Sequence, residues 1–487
     1  MVTILSSASM MAKYLLRHQR CNVSTYSVTD LFKWKDSSAL IGKFLTVNGW
    51  ITSVRNQKEF TFLHLTDGIS PRLLQVVIPK TLDLPVGECF SFTAVVIKGQ
   101  VVESPKKGQT FELMAESLQV LSKGTNDVAF PFTSKDNHPP DYVRKYLHLR
   151  SKTARFSNTL RLRSLLTSSI HDYFHKNNFV QIHTPVLTSN DCEGGGEIFS
   201  IKPDSQKLCQ MMAKEGKSEE EAYFDKKVFL TVSGQLHLEA VCSGIEKVYN
   251  FNPAFRAENS RGRRHLSEFW MVEAEMAFVF EISELLSVME NLVRYCAEYI
   301  LSHENGEIAV LEKTTKGVKE HLRAILDRPF ERITYSDAVK ILLENTSRFQ
   351  TKPVDGDDFG KEHELFITSH LGNKPTFVTD WPRHLKPFYV RFDEEKQTAS
   401  AIDLLVPDVG ELCGGSLREF NYDNLRSRLE AIRILNQLEW YLELRKFGGT
   451  PTGGFGLGFE RLMSYLFKIN HIRDAIPFPR SPHNCQL

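Results

Sequence analysis

Residues 255 to 278 read FRAENSRGRRHLSEFWMVEAEMAF, and in this stretch charged and apolar side chains alternate on either side of a basic centre. Tyr249 to Glu258 alternates a polar tip with an apolar body, and Glu268 to Phe278 does the same. A period of two marks antiparallel strands, so the sequence predicts a hairpin. Between the strands Arg261, Arg263, Arg264 and His265 crowd together with no acid beside them in sequence. Such a turn repels itself unless an anion sits there, and a triphosphate is the obvious candidate. A solvated hairpin tip with a ladder of ion pairs would have the same pattern.

Two glycine-bearing stretches further on carry related chemistry. Asp403 to Glu419, DLLVPDVGELCGGSLRE, places Asp403 and Glu411 on strands either side of a turn, ahead of a Gly-Gly-Ser-Leu-Arg418 element. Oxygen ligands with few dedicated protein contacts are what nucleotide-bound magnesium needs. Gly453 to Arg461, GGFGLGFER, reads as a glycine-rich strand that ends at Gly458 and runs into a helix, Arg461 to Phe467. Glycines let a planar base approach the backbone, and Arg461 is placed to cover its other face or to reach a terminal phosphate. The loop Asp191 to Glu197, DCEGGGE, permits a phosphate cradle or a closing lid, and without a following Lys-Ser/Thr it is not a Walker loop.

Ahead of these lie five short strand-like runs: FLTVNGWITSVR, EFTFLHLTDG, RLLQVVI, CFSFTAVVIKG and TFELMAESLQVL. Their number and spacing predict a small closed barrel of the OB type, which binds single-stranded nucleic acid by stacking bases on exposed aromatics. Arg55, Phe60, Phe62 and Gln75 are the candidates for that surface, although an apolar strand residue is by default a packing residue. Asn126 to Pro140 is rich in turn formers and reads as a linker. Thr153 to Lys176 has apolar residues at helical spacing, and FVQIHTPVLT after it reads as a strand ending near Pro185.

The chain has 487 residues, with 60 basic and 59 acidic side chains, so any nucleic-acid surface is a local patch and not a global field. Its eight cysteines contain no C-x-x-C pair, which argues for a reducing compartment and against structural zinc. No apolar run reaches the length of a membrane span, so no membrane insertion is expected. From Met1 to Thr29 there is no Asp or Glu, while Lys13, Arg17 and Arg20 are interleaved with Ser, Ala, Leu and Met. That is the composition of an organelle transit peptide, with a mitochondrial matrix address favoured over a plastid one.

Arg256-x-Glu258, a basic loop and Arg264-His265-x-x-x-Phe269 together resemble the second signature motif of class II aminoacyl-tRNA synthetases. The helix and strand ending at Pro185 resemble the first motif, which implies a homodimer, and Gly453 to Arg461 resembles the third. The resemblance covers nearly the whole chain after residue 40 and is closest to the subgroup that contains aspartyl, asparaginyl and lysyl enzymes. It implies ATP and Mg2+, and it assigns roles. Arg256 would bind the α-phosphate, Glu258 the adenine amine, Arg264, His265, Gly458 and Arg461 the rest of ATP, and Phe269 the adenine face. Glu411 and Asp403 would hold magnesium, with Arg256, Arg461 and Glu411 catalytic. Glu193 would pair with the substrate ammonium, Ser233 and Gln235 would bind the amino acid, and Arg418 would grip its side chain. Arg55, Phe62 and Gln75 match positions that read the central anticodon base.

Aspartyl enzymes carry a Lys three positions after the residue matching Gln235, where this chain has Leu238, and a His-His pair where it has Leu385-Lys386. Losing a cation disfavours a carboxylate ligand and suits a neutral amide. Glu273 is expected to accept from that amide. The implied function is ATP-dependent ligation of asparagine to tRNA(Asn) in mitochondria. An aspartyl or non-discriminating enzyme is the near alternative, and an inactive synthetase-like RNA- or partner-binding protein the distant one. Thr452 departs from the family, where His is usual. The expected fold is α+β: a transit peptide over 1–29, an OB-fold barrel over 30–125, a hinge linker over 126–150, and a catalytic domain over 151–487. That last domain is built on an antiparallel β-sheet flanked by helices, with insertions near 200–228 and 300–330.

Overall fold

The computed structural model describes residues 24–34, 36–106, 108–122, 131–132, 138–190, 198–259 and 262–487. Glu193 with its glycine loop, Arg261, most of the leader and most of the 126–140 linker lie outside the described residues. The chain divides into two compact units, one ending at Asn158 and taking in Asn305–Val310, the other comprising Thr159–Glu304 and Leu311–Leu487.

The first unit is a five-stranded barrel of β1 (Phe44–Asn56), β2 (Phe60–Thr66), β3 (Leu74–Pro79), β4 (Ala94–Glu103) and β5 (Phe111–Ser122). The order is β1-β2-β3-β5-β4, and β1 pairs again with β4 to close the cylinder. Only the β3 to β5 pairing of that ring is parallel. The expected OB-type barrel is therefore present. Alternation decides what faces inward: Leu63 and Leu65 of β2 are buried with Val47, Val76, Ile97 and Leu113, whereas Phe62 and His64 face outward. Gly99 sits at a register shift, and a Cβ there would collide with the Met114 carbonyl, so β4 bends only because this residue lacks one. Thr25–Tyr26 pairs in parallel with Thr46 and Val47, and helix Val28–Phe32 is closed by a Ser27/Asp30 capping box.

The second unit opens within α1 (Ala154–Lys176), which is close to the predicted helix. Where the sequence predicts one strand up to Pro185, only Val180–Gln181 and Leu187–Thr188 are extended, since proline donates no ladder bond. A short helix α2 (Gln235–Cys242) leads to the predicted hairpin, β6 (Lys247–Phe255) and β7 (Glu268–Ala277), in antiparallel register. Next come α3 (Ile282–His303), β8 (Glu331–Thr334), α4 (Lys361–His370), β9 (Thr376–Pro382), β10 (Thr398–Val406), β11 (Gly410–Leu417), α5 (Glu439–Lys446), β12 (Thr452–Gly458) and α6 (Phe459–Phe467). The sheet runs β8-β9-β10-β11-β12-β7-β6, with Val180–Gln181 on the far edge. It is antiparallel except at its margins, where β8 pairs with β9 and Val180–Gln181 with β6. After α3 ends at His303 the chain forms the short helices Glu307–Glu312 and Val318–Asp327, and the stretch 200–228 contains the helix Gln206–Met212. No helix among the described residues is long and apolar enough to cross a membrane.

Candidate active site

Strand β7 is the floor of a cavity of about 270 Å³ in the second unit. Met271, Glu273 and Glu275 project from it to one face because strand side chains alternate. On the neighbouring strand β12 their partners are Gly458, Gly456 and Gly454. A Cβ at Gly454 would overlap the Glu275 carboxylate, and one at Gly456 would lie 3.3 Å from Met271 Sδ. The glycines keep the floor open.

The basic end of the cavity is built on the loop after β6. Arg256 lies with its guanidinium carbon 5.7 Å from the Phe269 ring centroid, and Glu258 lies 3.6 Å from His265 Nε2. That acid was not adjacent in sequence to the basic cluster, and it relieves part of the repulsion expected there. Arg264 does not point into open solvent: it donates to the Val409 carbonyl at 3.0 Å and to that of Asp408. Burial lowers both Arg264 and His265 from their ordinary values, with Glu258 opposing it at His265. From the first turn of α6, Arg461 donates to the Glu411 carbonyl at 2.8 Å and reaches its carboxylate at 3.3 Å. Phe269, Glu258, Gly458 and Arg461 thus converge with Arg256 on one space.

Asp403 on β10 faces Gly414 on β11. A Cβ at Gly414 would lie 3.3 Å from Glu411 Oε1 and 3.4 Å from Asp403 Oδ1, so the two carboxylates flank one point, and this donor set fits a magnesium that keeps phosphate and water ligands. Lys386 Nζ donates to the other oxygen of Asp403 at 2.7 Å. Burial pushes Asp403 up to about 7 against the pull of Lys386, with Glu411 adding to the rise. Burial acts on Glu411 in the same sense, but Arg461, Lys386 and Arg256 hold it below its ordinary value. The environments drive the two apart, as expected for neighbouring carboxylates.

At the opposite end Arg418, 4 % exposed, grips Glu275 with Nε at 3.0 Å and Nη2 at 2.9 Å, and donates to Ser416 Oγ at 2.7 Å. Behind it Glu239 accepts from Gln235 Nε2 at 3.1 Å, Tyr441 at 2.6 Å and Arg445 at 2.9 Å. Despite its burial, which acts the other way, Arg418 is held above its ordinary value by Glu275, whereas complete burial pushes Glu275 up to about 7. Glu273 receives the Ser233 hydroxyl, the Gly234 amide at 2.9 Å and Asn250 Nδ2 at 2.9 Å. The Gly234 amide reaches both of its oxygens, at 3.0 and 2.9 Å, and all three donors to this carboxylate are neutral groups. Ser233 also accepts from the Gln235 amide at 3.1 Å, at the start of α2. Leu238 is fully buried beneath this end and brings no charge.

The structure therefore brings Arg256, Glu258, Arg264, His265, Phe269, Glu411, Asp403, Gly458, Arg461, Ser233, Gln235, Glu273 and Arg418 to one cavity. The carboxylate paired with Arg418 is Glu275, two residues beyond Glu273 on the same face of β7. Glu239, Tyr389, Tyr441 and Arg445 were not among the expected site residues, and Lys386 was marked only as standing where aspartyl enzymes carry histidine. Signals existed for two residues: Glu275 follows Glu273 by one strand period, and Glu239 follows Gln235 by one helical turn. Tyr389 sits in an aperiodic connection and gave none. Thr452, the departure from the family pattern, is buried, and its carbonyl accepts from the Arg418 amide at 2.8 Å. In the barrel unit, Arg55 pairs with Phe62 across β1 and β2, and Gln75 pairs with His64 across β2 and β3. Arg55 is exposed and Phe62 half-buried, with its ring 6.3 Å from that of Phe60, which is 37 % exposed. All lie on the outer face of the barrel.

Residues 140–482 match the family model described as tRNA synthetases class II (D, K and N). The chain is 45 % identical over 449 residues to an asparaginyl-tRNA synthetase of Mus musculus, covering 92 % of each. It is 39 % identical to the asparagine--tRNA ligase of Acholeplasma laidlawii, covering 93 % of this chain and 98 % of that one. A crystal structure of asparaginyl-tRNA synthetase from Pyrococcus horikoshii complexed with asparaginyl-adenylate superposes with a TM-score of 0.80 at 30 % identity, over 92 % of this chain and 97 % of that one.

Proposed function

Because the chain belongs to the class II tRNA synthetases, and by its relatives to their asparaginyl branch, we propose that it activates asparagine with ATP and transfers it to tRNA(Asn). The observation that carries the choice of amino acid is the state of Arg418. Its guanidinium is already paired bidentately with Glu275, no second cation stands at Leu238, and Glu273 adds a further carboxylate. Three acids, Glu239, Glu273 and Glu275, face two guanidiniums, Arg418 and Arg445, so this end is suited to a neutral amide and opposes a carboxylate side chain.

The reaction then proceeds in two steps. The substrate carboxylate attacks the ATP α-phosphorus in line, the bond to the bridging oxygen breaks, and pyrophosphate leaves. A terminal ribose hydroxyl of the tRNA next attacks the carbonyl and displaces AMP. Arg256 and Arg461 stabilise charge developing on the phosphates, Phe269 seats the adenine, and no side chain acts as nucleophile. Glu411 and Asp403 would hold magnesium, whose contribution is to neutralise phosphate charge. Glu193 would close on the substrate ammonium. Arg55, Phe62 and Gln75 would read the anticodon from the outer face of the barrel, where aromatic and basic groups lie side by side. The acid-free first 29 residues support import into the mitochondrial matrix, and a homodimer is the expected assembly.

Amino-acid-dependent exchange of pyrophosphate into ATP tests the reading. Strong exchange with asparagine, followed by transfer to tRNA(Asn), is expected. Exchange driven by aspartate and not asparagine overturns the choice of amino acid, and no exchange with any amino acid overturns the activity.

A further inference from the structure

Among the described residues, Lys386 is the one lysine in the cavity lining, and nothing in the adenylation scheme above uses it. Its ammonium is fixed from two sides. It lies 3.8 Å over the Trp381 ring centroid and 2.7 Å from Asp403 Oδ2. Trp381 is 1 % exposed, and the side chains of Lys386 and Asp403 keep only 16 % and 15 % of their surface. A lysine normally trails a mobile chain with a well-hydrated charge. This one has given up most of its water and most of its rotamers, which prepares a cation for a ligand.

Its position along the sheet says which ligand. Strand β11 runs from Glu411 at the phosphate end, through Gly414, to Ser416, with Arg418 just past its last residue at the amino-acid end. Asp403, which holds Lys386, is the cross-strand partner of Gly414, at the middle of that run. In an adenylation reaction the group between the side chain and the triphosphate is the α-carboxylate that attacks phosphorus. We infer that Lys386 is a substrate-binding residue whose ammonium pairs with the α-carboxylate of the bound amino acid, with Asp403 and Trp381 as its positioning residues. A single negative oxygen would cover the part of Lys386 that remains exposed, while Asp403 keeps its other oxygen toward Glu411. The inference rests on the adenylation reading above. It concerns the α-carboxylate that every amino acid carries and is separate from side-chain selection.

Calorimetric binding of asparagine and of asparaginol, which lacks the carboxylate, separates the roles. Without ATP, wild-type protein is expected to bind asparagine more tightly than asparaginol. Lys386→Met is expected to lose about 10- to 100-fold in asparagine affinity, the range of a lost charge-assisted contact, and to leave asparaginol within about twofold. Lys386→Arg restores part of the preference. Since Lys386→Met strands the Asp403 carboxylate, the double variant Lys386→Met/Asp403→Asn is measured beside it and is expected to show the same selective loss. Equal loss of both ligands in the double variant means that Lys386 only supports the fold, and undiminished asparagine affinity means that it touches nothing. Either overturns the inference while wild-type binding of asparagine leaves the asparagine reading standing. Wild-type protein that binds neither ligand overturns that reading and this inference with it.

Discussion

Arg256 and Glu275 illustrate two opposite uses of a charged side chain in one cavity. Glu275 is buried to 1 % and meets a guanidinium in bidentate geometry, so its partner is protein. Arg256 points at the space over Phe269, where the ligand reading places a phosphate. Removing the first strands a guanidinium that is 4 % exposed, whereas the second lines the open end of the cavity, which makes their variants distinguishable. Arg256→Ala is expected to reduce asparagine-dependent pyrophosphate exchange by ~3 kcal/mol, about a hundredfold or more, with a smaller change in melting temperature than Glu275→Ala. Glu275→Ala is expected to lower stability by ~3–5 kcal/mol, because it leaves the Arg418 charge uncompensated in the interior. Thermal denaturation of the two variants beside the wild-type protein checks both. A destabilised Arg256→Ala protein with normal exchange would remove Arg256 from the phosphate site.

At the scale of elements, the hairpin and the glycine strand were legible because each is a local pattern: period two in β7, and glycine at every second position of β12. Their pairing was not legible, since the order β10-β11-β12-β7-β6 joins segments far apart in sequence, and no local pattern records which edge meets which. The network behind Arg418 was hidden for the same reason. Glu239 lies on α2 and Tyr441 and Arg445 on α5, and each alone reads as an ordinary amphipathic helix residue. Phe62 shows the converse, where alternation along β2 was enough to place it on the outer face once the inner residues were known. Two predictions follow from these elements. Gly454→Ala is expected to destabilise the protein by ~1–3 kcal/mol, since the new methyl overlaps the Glu275 carboxylate and the Ala274 carbonyl. Calorimetry reads the loss, and a variant as stable as wild type would show that β7 and β12 can part without cost. Phe62→Ala is expected to weaken aminoacylation through tRNA by roughly 1–3 kcal/mol and to leave tRNA-free exchange unchanged. A fall in both reactions with a lowered melting temperature would return Phe62 to the barrel core.

Over the whole molecule, charge nearly cancels, with 60 basic against 59 acidic side chains, so no global field sorts one small substrate from another. Discrimination between asparagine and aspartate, which differ by one charged group, must then come from how charge is partitioned inside the chain. The cavity has cations where phosphate is expected and an excess of carboxylate where the amino-acid side chain is expected. Glu273 is the member of that excess whose donors, Ser233, Gly234 and Asn250, are all neutral, whereas Glu275 pairs with Arg418 and Glu239 with Arg445. An amide nitrogen can donate to Glu273. A second carboxylate placed there must be repelled or take up a proton. The wild-type protein is accordingly expected to activate asparagine strongly and aspartate barely at neutral pH. Glu273→Gln removes the negative charge and turns one acceptor oxygen into a donor, which leaves the Ser233, Gly234 and Asn250 donors a single oxygen to share, so the gap should narrow chiefly by loss of asparagine activation. Exchange assays with the two amino acids at saturating ATP decide it. Undiminished selectivity in Glu273→Gln would place discrimination on Glu275 and Arg418 alone, and a wild-type preference for aspartate would mean that the buried Arg418–Glu275 pair opens to admit a carboxylate.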